Sequence, residues 1–149
     1  MRAVIQRVSR AEVLSEGMPT GAIGRGMMVL LGVEEGDTEQ DAAYMAQKIC
    51  KLRIFEDENG KMNLNCASVG GKVLCVSQFT LLGDARGQNR PGFTRAEKPE
   101  RANELYLKTC ALIREQGLTV ETGVFRTHME VSLVNDGPVT LLLDSRKLF

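Results

Sequence analysis

The tetrapeptide Ser77-Gln78-Phe79-Thr80 sets two hydroxyls and an amide at the end of a short apolar run, Val73 to Val76. A rigid strand that ends in such groups is a good mount for chemistry. The hydroxyls suggest acyl transfer, and backbone N–H groups leaving the strand could form an oxyanion hole. The plainer reading is that the hydroxyls satisfy backbone groups where the strand ends. A hydroxyl nucleophile also needs a base. His128 is the only histidine, so any Ser-His or Cys-His hydrolase must use it. It has the opposite parity to Met129, Val131 and Leu133 in an alternating strand, which turns it away from the core.

Two further stretches could bind or select. "ARGQNRPGFTRA" (85–96) carries Arg86, Arg90 and Arg95 with no acid, and "RPGF" joins an arginine that suits phosphate to an aromatic that suits base stacking. Solvated surface charge and a structural turn are the competing meanings. "VNDGPVT" (134–140) breaks a strand pattern. Asp136-Gly137 suits a tight hairpin turn, and Pro138 then removes an N–H where a ladder should begin. The expectation is a hairpin with a rigid second half, or a deliberate backbone shape such as a cis peptide bond. Gly137 lets another backbone or a ligand approach closely.

The elements that position these groups follow from periodicity. "AVIQRV" reads as a strand, while "AEVLSEG" and "PTGAIGRG" are short and rich in turn residues. "MMVLLGVE" (27–34) and "KVLCVSQFTLL" read as strands buried on both faces. Ala42, Met45, Ala46, Ile49 and Leu52 recur at helical spacing behind Asp37 or Thr38 as cap. A long loop over 83–99 leads to a second helix opened by Pro99 and stopped by Gly117, with Ala102, Leu105, Tyr106, Thr109, Leu112 and Ile113 on its buried face. "TVETGVF", "HMEVSLV" and "VTLLLD" read as three closing strands. This order predicts an α+β domain in which helices cover one side of a curled sheet.

Composition bounds the rest. The chain has 149 residues, which fits one domain over 1–149. Its 19 basic and 19 acidic side chains cancel, so strong non-specific nucleic-acid binding by the whole surface is not expected. No apolar run approaches the roughly 20 residues of a membrane span. With no signal-peptide pattern either, the expected compartment is the cytoplasm. Cys50, Cys66, Cys75 and Cys110 match no zinc spacing and read as reduced core thiols, so no metal site is expected.

Taken together, "IQRV", "GVE", "RIFEDENGKMNLN", "VSQFTL", "RPGF" followed by "ANELY", "TGVF" and "VSLVNDGPVT" resemble the D-aminoacyl-tRNA deacylase family, in family order across essentially the whole chain. "SQFTL" and "NDGPVT" are the two signature motifs. The resemblance departs at Gly92, where a serine is usual, and at Arg126 and Thr127, where small residues are common. It implies a three-layer α/β/β fold, with curled, mostly antiparallel, barrel-like sheets and two helices on one side. It also implies a cytoplasmic homodimer that hydrolyses the ester of D-aminoacyl-tRNA, and of mischarged glycyl-tRNA, at the tRNA 3′ end, without metal or organic cofactor.

The resemblance implies assistance by the terminal ribose 2′-hydroxyl, with the N–H groups of Phe79 and Thr80 as oxyanion donors and Ser77 and Gln78 shaping the pocket. Gly137 and Pro138, as a Gly-cis-Pro dipeptide, would enter the partner's site and reject L-amino acids. Arg7, Met129 and Asn135 would support them, and Arg86, Arg90 and Arg95 would contact tRNA. The alternatives are an esterase with Thr80 or Ser77 as nucleophile, and a non-catalytic dimeric RNA-binding module.

Overall fold

A computed structural model describes residues 1–149. In chain order the elements are β1 (Arg2–Ser15), β2 (Met18–Ile23), β3 (Gly26–Gly32), α1 (Glu39–Lys51), β4 (Phe55–Glu56), β5 (Met62–Leu64), β6 (Lys72–Ser77), α2 (Pro99–Glu115), β7 (Val120–Thr122) and β8 (Met129–Asp144). Thr38 caps α1 through a capping box with Asp41. Pro99 opens α2, and Gly117 follows its end with φ near +95°. Both helices bury the expected faces, except that Leu52 caps α1 rather than lying within it. The region after "AVIQRV" is more regular than its turn residues suggest. β1 runs on to Ser15, and "MPTGAI" is the strand that pairs back onto it.

The main sheet has the order β2-β1-β3-β6-β7, with β8 on the other edge of β1. Pairs made by β1 are antiparallel, whereas β3–β6 and β6–β7 are parallel. The sheet is therefore mostly antiparallel, as expected, with two parallel pairs at its β3-β6-β7 end. Parallel neighbours need long crossovers, and α1 and α2 supply them. The sheet curls until its ends nearly meet: a Cβ on Gly21 in β2 would lie 2.7 Å from the Thr122 carbonyl oxygen of β7.

Curling creates two cores. The larger lies between sheet and helices and takes Ile5, Met27, Val29, Leu31, Val73 and Cys75 against Met45, Ile49, Leu105 and Ile113. The smaller lies inside the curl, where Val8, Ala11, Val13, Met28, Leu74 and Val76 meet. Because side chains alternate across a strand, β3 and β6 feed both cores at once, which is why their sequences read as continuously apolar. All four cysteines are buried and unpaired.

The end of the chain differs from expectation. Residues 134–140 do not form a hairpin. β8 is one strand, and both its halves pair with the same edge of β1. Asn135 lies opposite Val8 and Thr140 opposite Gln6, so residues 136–139 bulge out opposite Arg7 alone. The Gly137–Pro138 peptide is cis. Opposite the bulge β1 changes faces: Ala3 and Ile5 enter the larger core, Ser9 and Arg10 are exposed, and Ala11 and Val13 enter the smaller one.

Candidate active site

Where β6 ends, a cavity of about 720 Å³ opens between that strand end, the start of α2 and the turn that precedes β8. Ser77, Gln78 and Phe79 line it directly, while Thr80 stands next to them. The chain leaves the sheet abruptly here. Ser77 is still paired with Leu31, and the Gln78 N–H donates to the Leu31 carbonyl at 2.8 Å. Phe79–Leu82 then form one short 3-10 turn. Leu81 and Gly83 donate to Gln78 and Thr80, but the N–H groups of Phe79 and Thr80 find no acceptor, as first-turn donors commonly do not. Gly32 makes the sharp exit fit, since a Cβ there would lie 2.8 Å from the Gln78 carbonyl oxygen. The Thr80 hydroxyl accepts a hydrogen bond from the Gln78 amide, and no base touches it.

The 84–98 loop builds one wall. Asp84 and Gly92 exchange backbone hydrogen bonds of 2.8 and 2.9 Å, closing its tip. Phe93 meets Phe79 edge-on with ring centroids 5.1 Å apart. At the far end Arg95 donates through Nε to Glu34 at 2.9 Å, the Glu35 N–H donates to the Arg95 carbonyl, and the Glu97 N–H donates to the Val33 carbonyl.

The three loop arginines are therefore not a free basic face. Arg95 is committed to the buried Glu34. Arg86 is bound at two points to Asp84, one residue before the acid-free stretch begins, and its guanidinium holds the Asp84 carboxyl well below the usual carboxylate range. Only Arg90 is exposed and without a partner.

Phe125, Arg126, Thr127, His128 and Met129 form the opposite wall. Phe125 stacks on Tyr106, whose hydroxyl donates to the Cys75 carbonyl of β6 at 2.7 Å. The exposed His128 side chain sits at the mouth and makes no hydrogen bond; its backbone N–H donates to Glu16.

Gly137 and Pro138 do not line this cavity in their own protomer; they stand exposed on the bulge. Arg7 supports them from below. Its Nε donates to the Asp136 carbonyl at 3.0 Å and its Nη1 to the Ile54 carbonyl at 2.8 Å. Asn135 ties the base of the bulge, accepting from the Val139 N–H and donating to the Thr140 hydroxyl, both at 3.0 Å.

Residues 4–144 match the family model described as D-Tyr-tRNA(Tyr) deacylase. The chain belongs to that family. Curated relatives named D-aminoacyl-tRNA deacylase from Anaeromyxobacter dehalogenans, Koribacter versatilis and Thermotoga petrophila are 66%, 62% and 58% identical, each over all of this chain and all of the relative. A solved structure titled c-Myc DNA Unwinding Element Binding Protein superposes with a TM-score of 0.91 at 40% identity, covering 97% of this chain and 98% of that one. A probable eukaryotic D-amino acid tRNA deacylase shares the fold, with a TM-score of 0.81 at 17% identity over 95% and 97% of the two chains. This member of the deacylase family is accordingly an enzyme, a hydrolase.

Several walls of the cavity escaped the sequence reading: Ala96, Glu97 and Lys98 from the loop, and Phe125 from the turn, whereas Phe93 and His128, which the sequence singles out, do line it. "RPGF" hinted at Phe93, but nothing local marks Phe125. Of the departures, Gly92 is sterically neutral: a Cβ there would meet nothing closer than 3.5 Å. Arg126 is different, since it holds a φ of +64° that arginine rarely adopts.

Proposed function

We propose that the cavity receives the 3′ end of a tRNA esterified with a D-amino acid or with glycine. Water adds to the ester carbonyl, the bond to the ribose oxygen breaks, and free amino acid and tRNA leave. The observation that carries this reading is the pair of unpaired N–H groups, Phe79 and Thr80, beside a hydroxyl that no base touches. Such a site can stabilise a charged tetrahedral oxygen and position an ester, but it is poorly equipped to supply a nucleophile. Water is the nucleophile, and the ribose 2′-hydroxyl of the substrate assists its attack. No metal or organic cofactor is called for, and the setting is the cytoplasm.

Selectivity is assigned to the bulge. In a homodimer, Gly137 and Pro138 of each protomer enter the cavity of the other, where backbone carbonyls leave no room for an L side chain. Glycine, with no side chain, passes. Two features support this arrangement: the dipeptide is exposed and absent from its own cavity, and Arg7 braces it from beneath.

The test compares D-tyrosyl-tRNA with L-tyrosyl-tRNA, and each with tRNA ending in 2′-deoxyadenosine. Preferential loss of the D ester and slow cleavage of the deoxy substrate are expected. Equal D and L rates would sink the assigned selectivity. Undiminished cleavage of the deoxy substrate would favour Thr80 or Ser77 as nucleophile, and tight binding without turnover an RNA-binding module. Mixed dimers locate the bulge: a protomer with intact cavity and altered Gly137 should regain discrimination from a partner with the reverse defects.

A further inference from the structure

One charged side chain at the cavity mouth has no partner within the fold. Arg126 is exposed, lines the cavity, and its guanidinium makes neither a hydrogen bond nor an ion pair. The turn that carries it is built to hold it there. The Thr127 N–H donates to the Val124 carbonyl at 3.3 Å, making Arg126 the third residue of a tight turn, a place that favours glycine or asparagine at the observed φ of +64°. The Thr127 hydroxyl donates to the same carbonyl at 2.8 Å and, its proton so used, accepts from Ser15 on β1 at 2.5 Å. That clamp fixes the turn against the sheet.

The surrounding charges leave Arg126 free to act outward. Lys98 and His128, also on the cavity wall, make no side-chain bonds. Glu97, the one acid on the wall, is turned to backbone donors, the Lys98 N–H at 2.8 Å and the Gly36 N–H at 3.4 Å. Glu16 is engaged by the His128 N–H at 3.1 Å. On the wall the cations Arg126 and Lys98 outnumber the one acid, Glu97, and no acid is paired with Arg126.

We propose that Arg126 binds an anionic group of the substrate at the mouth of the cavity. The group is either a phosphodiester beside the terminal adenosine or the side-chain carboxylate of an acidic D-amino acid. This rests on the reading that the tRNA 3′ end occupies this cavity. Because arginine sits where glycine is preferred, Arg126→Gly should fold at least as well as the native chain, and its thermal midpoint checks that.

The experiment measures kcat and KM of the native protein, Arg126→Gly and Arg126→Lys on D-tyrosyl-tRNA, D-aspartyl-tRNA and D-tyrosyl-adenosine, which lacks phosphate. A phosphate contact predicts that Arg126→Gly raises KM for both tRNAs about three- to fivefold, with a much smaller change for the adenosine ester. It also predicts that the slope of log KM against log salt falls by roughly 0.7. A carboxylate contact predicts a loss confined to D-aspartyl-tRNA. Lysine should restore most of either loss. Unchanged kinetics on all three substrates, or an equal loss on all three, would overturn the proposal. Failure of the native protein to cleave any of them would instead overturn the reading of the cavity.

Discussion

The 84–98 loop and the 136–139 bulge both present residues of the candidate site, and they are anchored in opposite ways. The loop is tied at many points: backbone exchange between Asp84 and Gly92, the Phe79–Phe93 ring contact, the Glu34–Arg95 ion pair and backbone bonds from Glu97 to Val33 and from Glu35 to Arg95. The bulge hangs mainly on Arg7, a residue only 7% exposed, with Asn135 closing its base. The difference suits two tasks. A cavity wall must keep its shape against its own protein, while a projecting element must be stiff at the tip with little around it. Damage should accordingly be spread thin in the loop and concentrated in the bulge.

Arg7→Ala should show the largest effect. It removes two charge-assisted hydrogen bonds and strands the Ile54 carbonyl, a loss of about 3 kcal/mol in urea unfolding. Discrimination between D- and L-aminoacyl-tRNA should relax with it. A loss below about 1 kcal/mol would mean that the bulge has other supports. Glu34→Gln comes next, at about 1–2 kcal/mol, because Glu34 is buried while Arg95 and Arg146 stay partly in water and are screened there. If it matches Arg7→Ala, the loop too depends on one anchor and the contrast fails.

Asn135→Ala should cost about 1 kcal/mol in the same unfolding assay and loosen L rejection more than it slows D turnover. An equal fall in both would place Asn135 in general support instead. The smallest effect belongs to Arg86→Ala. Its pairing with Asp84 is local and open to solvent, so the thermal midpoint should not move. A clear drop would show that the loop tip carries part of the anchoring.

The two helices were legible because their signals are local: Thr38 with Asp41, Pro99, Gly117 and the apolar stripes all act within a few residues. The sheet face and the Ser77–Thr80 exit were legible for the same reason. What sequence missed is long-range. Asp136-Gly137-Pro138 looks like a hairpin turn by every neighbouring residue, and only pairing of both flanks to the same edge of β1 makes it a bulge. Arg95 looked unpaired because its acid lies 61 positions away, at Glu34. Phe125 carries no local mark, since its place on the cavity wall depends on Tyr106 across the domain.

The pairing of β1 with β8 joins Arg2 to Asp144 and Ser15 to Met129, the longest ladder in the molecule and the most distant in sequence. During synthesis β1 leaves the ribosome before the other elements of the fold and must wait, one edge unsatisfied, until β8 has emerged. Loop-closure entropy on that scale makes such a sheet slow to complete. The bulge and its Arg7 brace come together only in that final step. The helices and the Ser77–Thr80 exit can form earlier, so a nascent chain assembles the β6 and α2 sides of its cavity before the opposite wall and the element assigned to selectivity are in place.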